Sequence, residues 1–260
     1  MNDIAAPVPA ATILMLRNGP TGLEVFMVVR HHQIDFASGA LVFPGGKVAD
    51  GDDEVRDRCT GASDNDTEFA LQVGAIREAF EECGILLARQ ADSETLISSV
   101  RLAELEHYRK PLAKSELKIG EFLKKENLTL ACDQLHHYAH WITPETMPKR
   151  FDTYFYLAEA PADHVAIHDG HESVDSIWIS PNAAIEGAKS GKYTIIFPTR
   201  LNIAMLAESS SVAEAIEMAN QREIVTVLPW AEIRDDGRYL CIPKNAGYVA
   251  SEEKLEGRPA

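Results

Sequence analysis

Arg77 to Ile85 reads REAFEECGI, and a loop-like stretch upstream, Phe43 to Asp52, reads FPGGKVADGD. At 100° per residue Glu78, Glu81 and Glu82 fall within an arc of about 100°, while Val73, Ile76, Phe80 and Cys83 gather on the opposite side. One face of this helix is apolar enough for a core; the other presents three carboxylates beside an arginine. A solvated acidic face is the simpler alternative. Against it, Glu78 stands at i,i+3 and i,i+4 to Glu81 and Glu82 with no lysine among them, which destabilises an isolated helix by about 0.4 to 1 kcal/mol.

A bound divalent cation reverses the sign of that repulsion. Hard oxygen ligands favour Mg²⁺ or Mn²⁺ over zinc, and Mg²⁺ is commonly shared between one or two carboxylates and the phosphates of a substrate. Gly45 and Gly46, after Pro44, allow a backbone turn and close approach to another segment, as a loop beside such a site requires.

The two stretches together resemble the signature of the Nudix hydrolases: glycine, five residues, glutamate, seven residues, then R-E-U-x-E-E-x-G-U with U aliphatic. Gly46, Arg77, Glu78, Glu81, Glu82, Gly84 and Ile85 occupy the matching positions. Asp52 stands where the family has glutamate, a position the resemblance implies to be mostly structural, and residues 53–76 separate it from Arg77 where the family has seven. Ala79 takes an aliphatic position. The extra residues begin DEVRDRCTGASDNDT (Asp53 to Thr67), a polar stretch that reads as a surface loop inserted into the motif.

The resemblance implies an α/β fold, the Nudix-type α/β/α sandwich, for roughly residues 10–190. On that reading 1–190 is the Nudix domain, with insertions at about 53–67 and 92–138, and 191–260 is a mainly helical C-terminal extension packed on the same domain. RHHQIDFASGALVFPGGK, ending at Lys47, is similar to the motif of the coenzyme A diphosphatases through Arg30, Gly39 and the Phe43 to Gly46 tetrapeptide. Asp35 replaces that motif's second arginine, which removes a bidentate phosphate donor, and His31 replaces a small residue. In layout the chain most resembles the coenzyme A diphosphatase-like branch around mammalian Nudix protein 19.

Membership of such a family implies a metal-dependent hydrolase that cleaves the diphosphate bond of a nucleoside diphosphate linked to another moiety, with coenzyme A or acyl-coenzyme A as first candidates. Glu81 and Glu82 are the expected main ligands of Mg²⁺ or Mn²⁺. Glu78 is a further ligand or the base that accepts the proton of water. Arg77 is expected to fix a carboxylate through a charge-assisted fork. Arg30, Gly45 and Gly46 are the candidate substrate-binding residues. A non-catalytic sensor of a nucleotide or metabolite on the same fold is the alternative, and isomerase chemistry on an isoprenoid diphosphate is a third.

Other candidates carry weaker signals. Glu172 is a loop acid before a strand; Lys149 and Arg150 are as well explained by the surface as by phosphate; Tyr154 and Tyr156 alternate as core aromatics do. His136 and His140, and His164, His168 and His171, have no HExxH or cysteine partner. Gly45-Gly46-Lys47 lacks the preceding glycine of a P-loop, and no GxSxG elbow exists.

Composition sets the outer bounds. At 260 residues and 45% hydrophobic content the chain can bury a substantial core, and its formal net charge of -15 argues against a nucleic-acid polymer as partner. Bound metal still permits an anionic small-molecule substrate. The four cysteines show no CxxC spacing, no run reaches the length of a membrane span, and the first residues lack a basic leader. Cytoplasm is the expected location, and a homodimer stays open.

Along the chain, Ala11 to Arg17 and Leu23 to Arg30 read as a hairpin, and Ala40 to Phe43 as a short strand. The acidic helix runs from about Glu68 to Cys83 with Gly84 as cap. Residues 92–138 carry helical spacing. Strands are expected at 140–142, 151–158 and 173–180, then a helix opened by Pro181, two more helical patterns (199–208 and 211–221), and a last strand near Tyr239.

Overall fold

The computed structural model describes residues 4–30, 39–168 and 173–255. The chain opens with a hairpin of Val8–Gly19 (β1) and Gly22–Arg30 (β2), followed by Leu41–Val42 (β3), Gly45–Lys47 (β4) and Cys59–Thr60 (β5). Helix α1 spans Asp66–Cys83, and Ala88–Gln90 forms β6. Three short helices come next, Ser99–Leu105 (α2), Arg109–Ala113 (α3) and Ile119–Glu126 (α4), then Leu128–Ala131 (β7), His136–Ile142 (β8), Phe151–Glu159 (β9) and Ser173–Ile179 (β10). The tail holds Pro181–Lys189 (α5), Phe197–Leu206 (α6), Val212–Gln221 (α7), Thr226–Val227 (β11), Trp230–Arg234 (β12), Gly237–Cys241 (β13) and Glu252–Leu255 (β14).

β1 is apolar on both of its faces because it lies inside the main sheet, whose order is β10-β2-β1-β9-β8-β11. Its far half pairs with β2, its near half with β4 at Ala10↔Lys47 to Thr12↔Gly45, and β9 runs parallel along its other side. Ala11, Ile13 and Met15 point into one core with α1, whereas Leu14 and Leu16 point into a second core with α6 and α7. Helices therefore cover both faces of a mixed sheet, as the α/β/α expectation required.

α1 is covered on its outer side as well. Phe80 stacks on Phe122 of α4 with centroids 5.6 Å apart, and Leu102 and Leu105 of α2 join the same core. Beyond its first turn few positions on this helix are left for water, so an acidic residue in its last two turns meets protein rather than solvent.

The inserted segments differ in part from the expectation. Residues 53–67 are more than a surface loop: Cys59 and Thr60 pair in parallel with Leu130 and Ala131 of β7, and β7 pairs antiparallel with β6, giving a small separate sheet. The stretch 92–138 is helical as far as α4, but LTLA at β7 is a strand, and β8 starts at His136 rather than His140. The tail keeps both helices and adds β11 at the edge of the main sheet and an antiparallel sheet, β12-β13-β14. Trp230–Arg234 is largely exposed, so it lacks the alternation that marks a half-buried strand. No helix among the described residues is long and apolar enough to cross a membrane.

Candidate active site

α1 starts at Asn65, whose side chain accepts the Glu68 backbone N–H at 3.0 Å, and stops at Gly84, which takes the left-handed conformation at φ 69°. Between these caps the helix presents Arg77, Glu78, Glu81 and Glu82 in its last two turns. Arg77, Glu81 and Glu82 are buried, and the Glu78 side chain is 12% exposed. A solvated acidic face does not survive that observation: the carboxylates are held against protein.

Arg77 is the hub. Its Nε lies 3.0 Å from Asp52 Oδ1 and its Nη2 3.1 Å from Asp52 Oδ2, while Nη1 reaches Glu78 Oε1 at 2.9 Å and Glu81 Oε2 at 3.1 Å. Nη2 also donates to the Lys47 carbonyl at 2.8 Å, which binds the helix to the glycine loop. Burial works against the charge of this guanidinium, but Glu78, Asp52 and Glu81 together outweigh burial and raise its pKa. Asp52 Oδ2 accepts the Ala49 N–H at 2.8 Å as well, so this fully buried carboxylate closes its own loop and anchors the arginine.

The glycine loop comes close enough that side chains are excluded. A Cβ on Gly45 would lie 2.4 Å from the Ala11 carbonyl oxygen, and one on Gly46 would lie 2.3 Å from Glu78 Oε1. With that approach Gly45 donates its N–H to Glu82 Oε2 at 3.0 Å. Glu81, in the same turn, has its pKa raised to about 7, first by burial and then by neighbouring Glu78 and Asp52, which outweigh the lowering by Arg77.

The structure thus gathers Arg77, Glu78, Glu81, Glu82, Gly45 and Gly46 in one place. Arg30 ends β2 with its backbone opposite Ser173. Asp35, His31, His171 and Glu172 lie outside the described residues. Arg150 is buried, with its guanidinium committed to the carbonyls of Thr143 and Ala5. Tyr156 is buried in the core, and Tyr154 stacks on His137. His136, His140, His164 and His168 are spread over separate partners: Asn220, Asp152, the Ile97 carbonyl and Ser176.

Among the described residues no three acidic, histidine or cysteine side chains converge on one point as a metal cage. The donor set nevertheless has the chemistry of a hard divalent cation's shell. Four carboxylates, Asp52, Glu78, Glu81 and Glu82, crowd around one guanidinium and one backbone N–H, all donors are hard oxygens, and such cations commonly complete their shell with water and substrate phosphates.

The fold and this acidic turn define a Nudix-type hydrolase, and the comparison with known proteins narrows the class. The chain belongs to the NUDT19 Nudix domain family, whose model matches residues 54–206. It is similar to the Caenorhabditis elegans protein described as "Putative nudix hydrolase 7", at 25% identity over 231 residues covering 88% of this chain and 71% of that one. The Xenopus laevis acyl-coenzyme A diphosphatase NUDT19 is 22% identical over 259 residues, covering 84% and 68%. Among solved structures, a NUDIX hydrolase from Alicyclobacillus acidocaldarius superposes with a TM-score of 0.69 at 25% identity, covering 83% of this chain and 97% of that one.

Two residues of this neighbourhood were not singled out from sequence for what they do here. Asp52 was visible as a motif position, though its burial was not. Arg109 lies in an inserted helix and carried no signal, apart from the lack of any basic residue in the last turn of α1.

Proposed function

We propose that this Nudix hydrolase is a Mg²⁺- or Mn²⁺-dependent diphosphatase that cleaves a nucleoside diphosphate linked to a second moiety, with coenzyme A or acyl-coenzyme A as the first substrates to test. The observation that carries the reading is the Arg77 hub, which holds Asp52, Glu78 and Glu81 around one guanidinium beside the Gly45–Glu82 contact. A fold alone needs no such concentration of buried negative charge, and its cost is offset when a divalent cation and a diphosphate share the site.

Glu81 and Glu82 are the proposed main ligands. Gly45 fixes one Glu82 oxygen by its backbone N–H, and Arg77 fixes Glu81, so both carboxylates are oriented before any ligand arrives. Glu78, at the mouth of the cluster against Gly46, supplies a further ligand oxygen or accepts the proton of the attacking water. When bound, the cation supplies charge neutralisation at the phosphate oxygens and acidifies water. Gly45 and Gly46, which let the loop close on β1 and on Glu78, are the proposed backbone contacts to substrate, and Arg30, at the end of β2, is the proposed phosphate-binding cation. The names of the relatives support the coenzyme A assignment, the Xenopus laevis protein being an acyl-coenzyme A diphosphatase.

We propose further that residues 1–190 are the Nudix domain and 191–260 an extension of the same unit, a reading supported by the core that Leu14 and Leu16 of β1 share with Leu201, Ile203 and Val212. The deciding experiment is a hydrolysis screen with Mg²⁺ and with Mn²⁺ over coenzyme A esters, NADH, ADP-ribose and dinucleoside polyphosphates, on wild type and Glu82→Gln. Turnover of a coenzyme A ester that Glu82→Gln abolishes with its fold retained supports the proposal. Unchanged hydrolysis by that variant discards the site, and no turnover of any of the four classes favours a sensor.

A further inference from the structure

α1 ends without a basic residue in its last turn, although Glu81 and Glu82 stand there and the negative pole of the helix dipole adds to their charge. The missing cation arrives from the helical insertion. Arg109, the first residue of α3, donates from Nη2 to the Glu81 carbonyl at 3.1 Å and from Nε to the same oxygen at 3.3 Å. Its Nη2 also donates to the Ile167 carbonyl at 3.0 Å, and Nη1 pairs with Glu106 at 2.7 Å, which sets the guanidinium plane. The side chain is 11% exposed.

Three segments meet at this guanidinium. Ile167, in the stretch ahead of β10, returns a hydrogen bond from its N–H to the Cys83 carbonyl at 2.9 Å, so the end carbonyls of α1 are taken by Arg109 on one side and Ile167 on the other. Gly84 leaves the room for it: a Cβ there would lie 3.1 Å from Arg109 Nη1. A carbonyl oxygen held by two donors of one planar fork has little freedom to rotate, and the side chains of Glu81 and Glu82 are carried by the Cα atoms at the two ends of that one peptide.

We infer that Arg109 is a positioning residue of the hydrolytic site: by locking the peptide between Glu81 and Glu82 and tying it to Ile167, it sets the affinity of the acidic turn for a divalent cation. The inference rests on the reading of Glu81 and Glu82 as cation ligands. Partners of this outer kind, when removed, cost metal sites 10- to 100-fold in affinity as an order of magnitude. Arg109→Gln removes both charge and fork. Arg109→Lys keeps the charge and can reach both carbonyls from one nitrogen, as Nη2 does, but it loses the second donor on the Glu81 oxygen and the planar fork that Glu106 orients.

The test is calorimetric titration of Mn²⁺ into the full-length metal-free protein, with the melting temperature recorded in parallel and the Mn²⁺ dependence of hydrolysis followed on the same samples. Expected is a dissociation constant raised about tenfold or more in Arg109→Gln and by a smaller factor in Arg109→Lys, with kcat largely recovered at saturating Mn²⁺. A strut with no bearing on the site lowers the melting temperature and leaves Mn²⁺ affinity at the wild-type value; that result overturns the inference. If Arg109→Gln does not fold, wild-type affinity in Arg109→Lys overturns it equally. A wild-type protein that binds no Mn²⁺, or a Glu81→Gln variant that binds it as well as wild type, sinks the cation site itself and is told apart by those two samples alone.

Discussion

Arg77 reaches Asp52 across 25 positions of sequence, with both Nε and Nη2 on the carboxylate and no part of the Asp52 side chain exposed. Such a pair is costly to break on one side, since the arginine then stays buried with less compensation. Removing one partner typically costs about 3–5 kcal/mol, and because Arg77 keeps Glu78 and Glu81, a value of about 3 kcal/mol is expected for Asp52→Ala in urea unfolding. Asp52→Glu, which restores the residue type of the Nudix signature, is expected to destabilise too, by about 1–3 kcal/mol, since the buried carboxylate already meets Arg77 and the Ala49 N–H at hydrogen-bond distance and another methylene must displace it from them. A neutral or stabilising Asp52→Glu refutes this account of the pocket.

The two loop glycines are expected to fail in different ways. An added methyl at Gly45 meets backbone, the Ala11 carbonyl at 2.4 Å and Thr12 Cα at 2.7 Å, whereas at Gly46 it meets only the far end of Glu78. Gly45→Ala therefore lowers stability by about 2 kcal/mol or more, with strand pairing to β1 disturbed. Gly46→Ala shifts the Glu78 carboxylate, so it leaves the melting temperature within a few degrees while cutting hydrolysis at least tenfold. Equal stability losses in the two variants contradict the contacts described.

The acidic helix was legible in the sequence because periodicity, a glycine stop and a cluster of like charges all fell within one short stretch, from Arg77 to Ile85. Its partners were legible only where they were near the motif. Asp52 reads as a motif position, but its burial depends on Arg77, 25 positions further on, and Arg109 reaches Glu81 from 28 positions downstream. The small strands were hidden for another reason. Cys59–Thr60 is too short to show a period, Leu128–Ala131 continues an apolar spacing that also suits a helix, and Trp230–Arg234 is exposed along most of its length.

Asp133 ties the two insertions together. Arg89 grips it with both terminal nitrogens at 2.6 and 2.7 Å, and Thr60 donates a hydroxyl at 2.9 Å. These bonds, that of Arg89 above all, hold the Asp133 carboxyl well below the usual carboxylate range against the opposing effect of burial. A depressed folded-state pKa gives stability that is fully present above the unfolded value near 4 and is lost as pH falls through the folded one. Asp133→Asn is thus expected to cost about 1 kcal/mol at pH 7, reduced by solvent screening at this partly exposed pair, and distinctly less at pH 2. A penalty that stays constant from pH 7 to pH 2 in denaturant titrations rules the pairing out.

Glu81 gives the opposite pH dependence. Its pKa rises from 4.5 in the unfolded chain to about 7 in the metal-free fold, because burial disfavours the charged form more than Arg77 favours it. The folded protein then holds a proton that the unfolded chain has lost, so this stabilisation is complete below about 4.5 and disappears as pH climbs through 7. Metal-free protein should melt at progressively lower temperature between those limits, and Glu81→Gln should flatten the trend. A divalent cation competes with the same proton. The apparent dissociation constant for Mn²⁺ should therefore fall by up to about tenfold per pH unit between pH 5.5 and 7 and level off above, with close to one proton released per ion in calorimetry at pH 6. Mn²⁺ affinity independent of pH across that range, with no proton release, removes Glu81 from the ligand set and leaves Glu78 and Glu82 to account for any binding that remains.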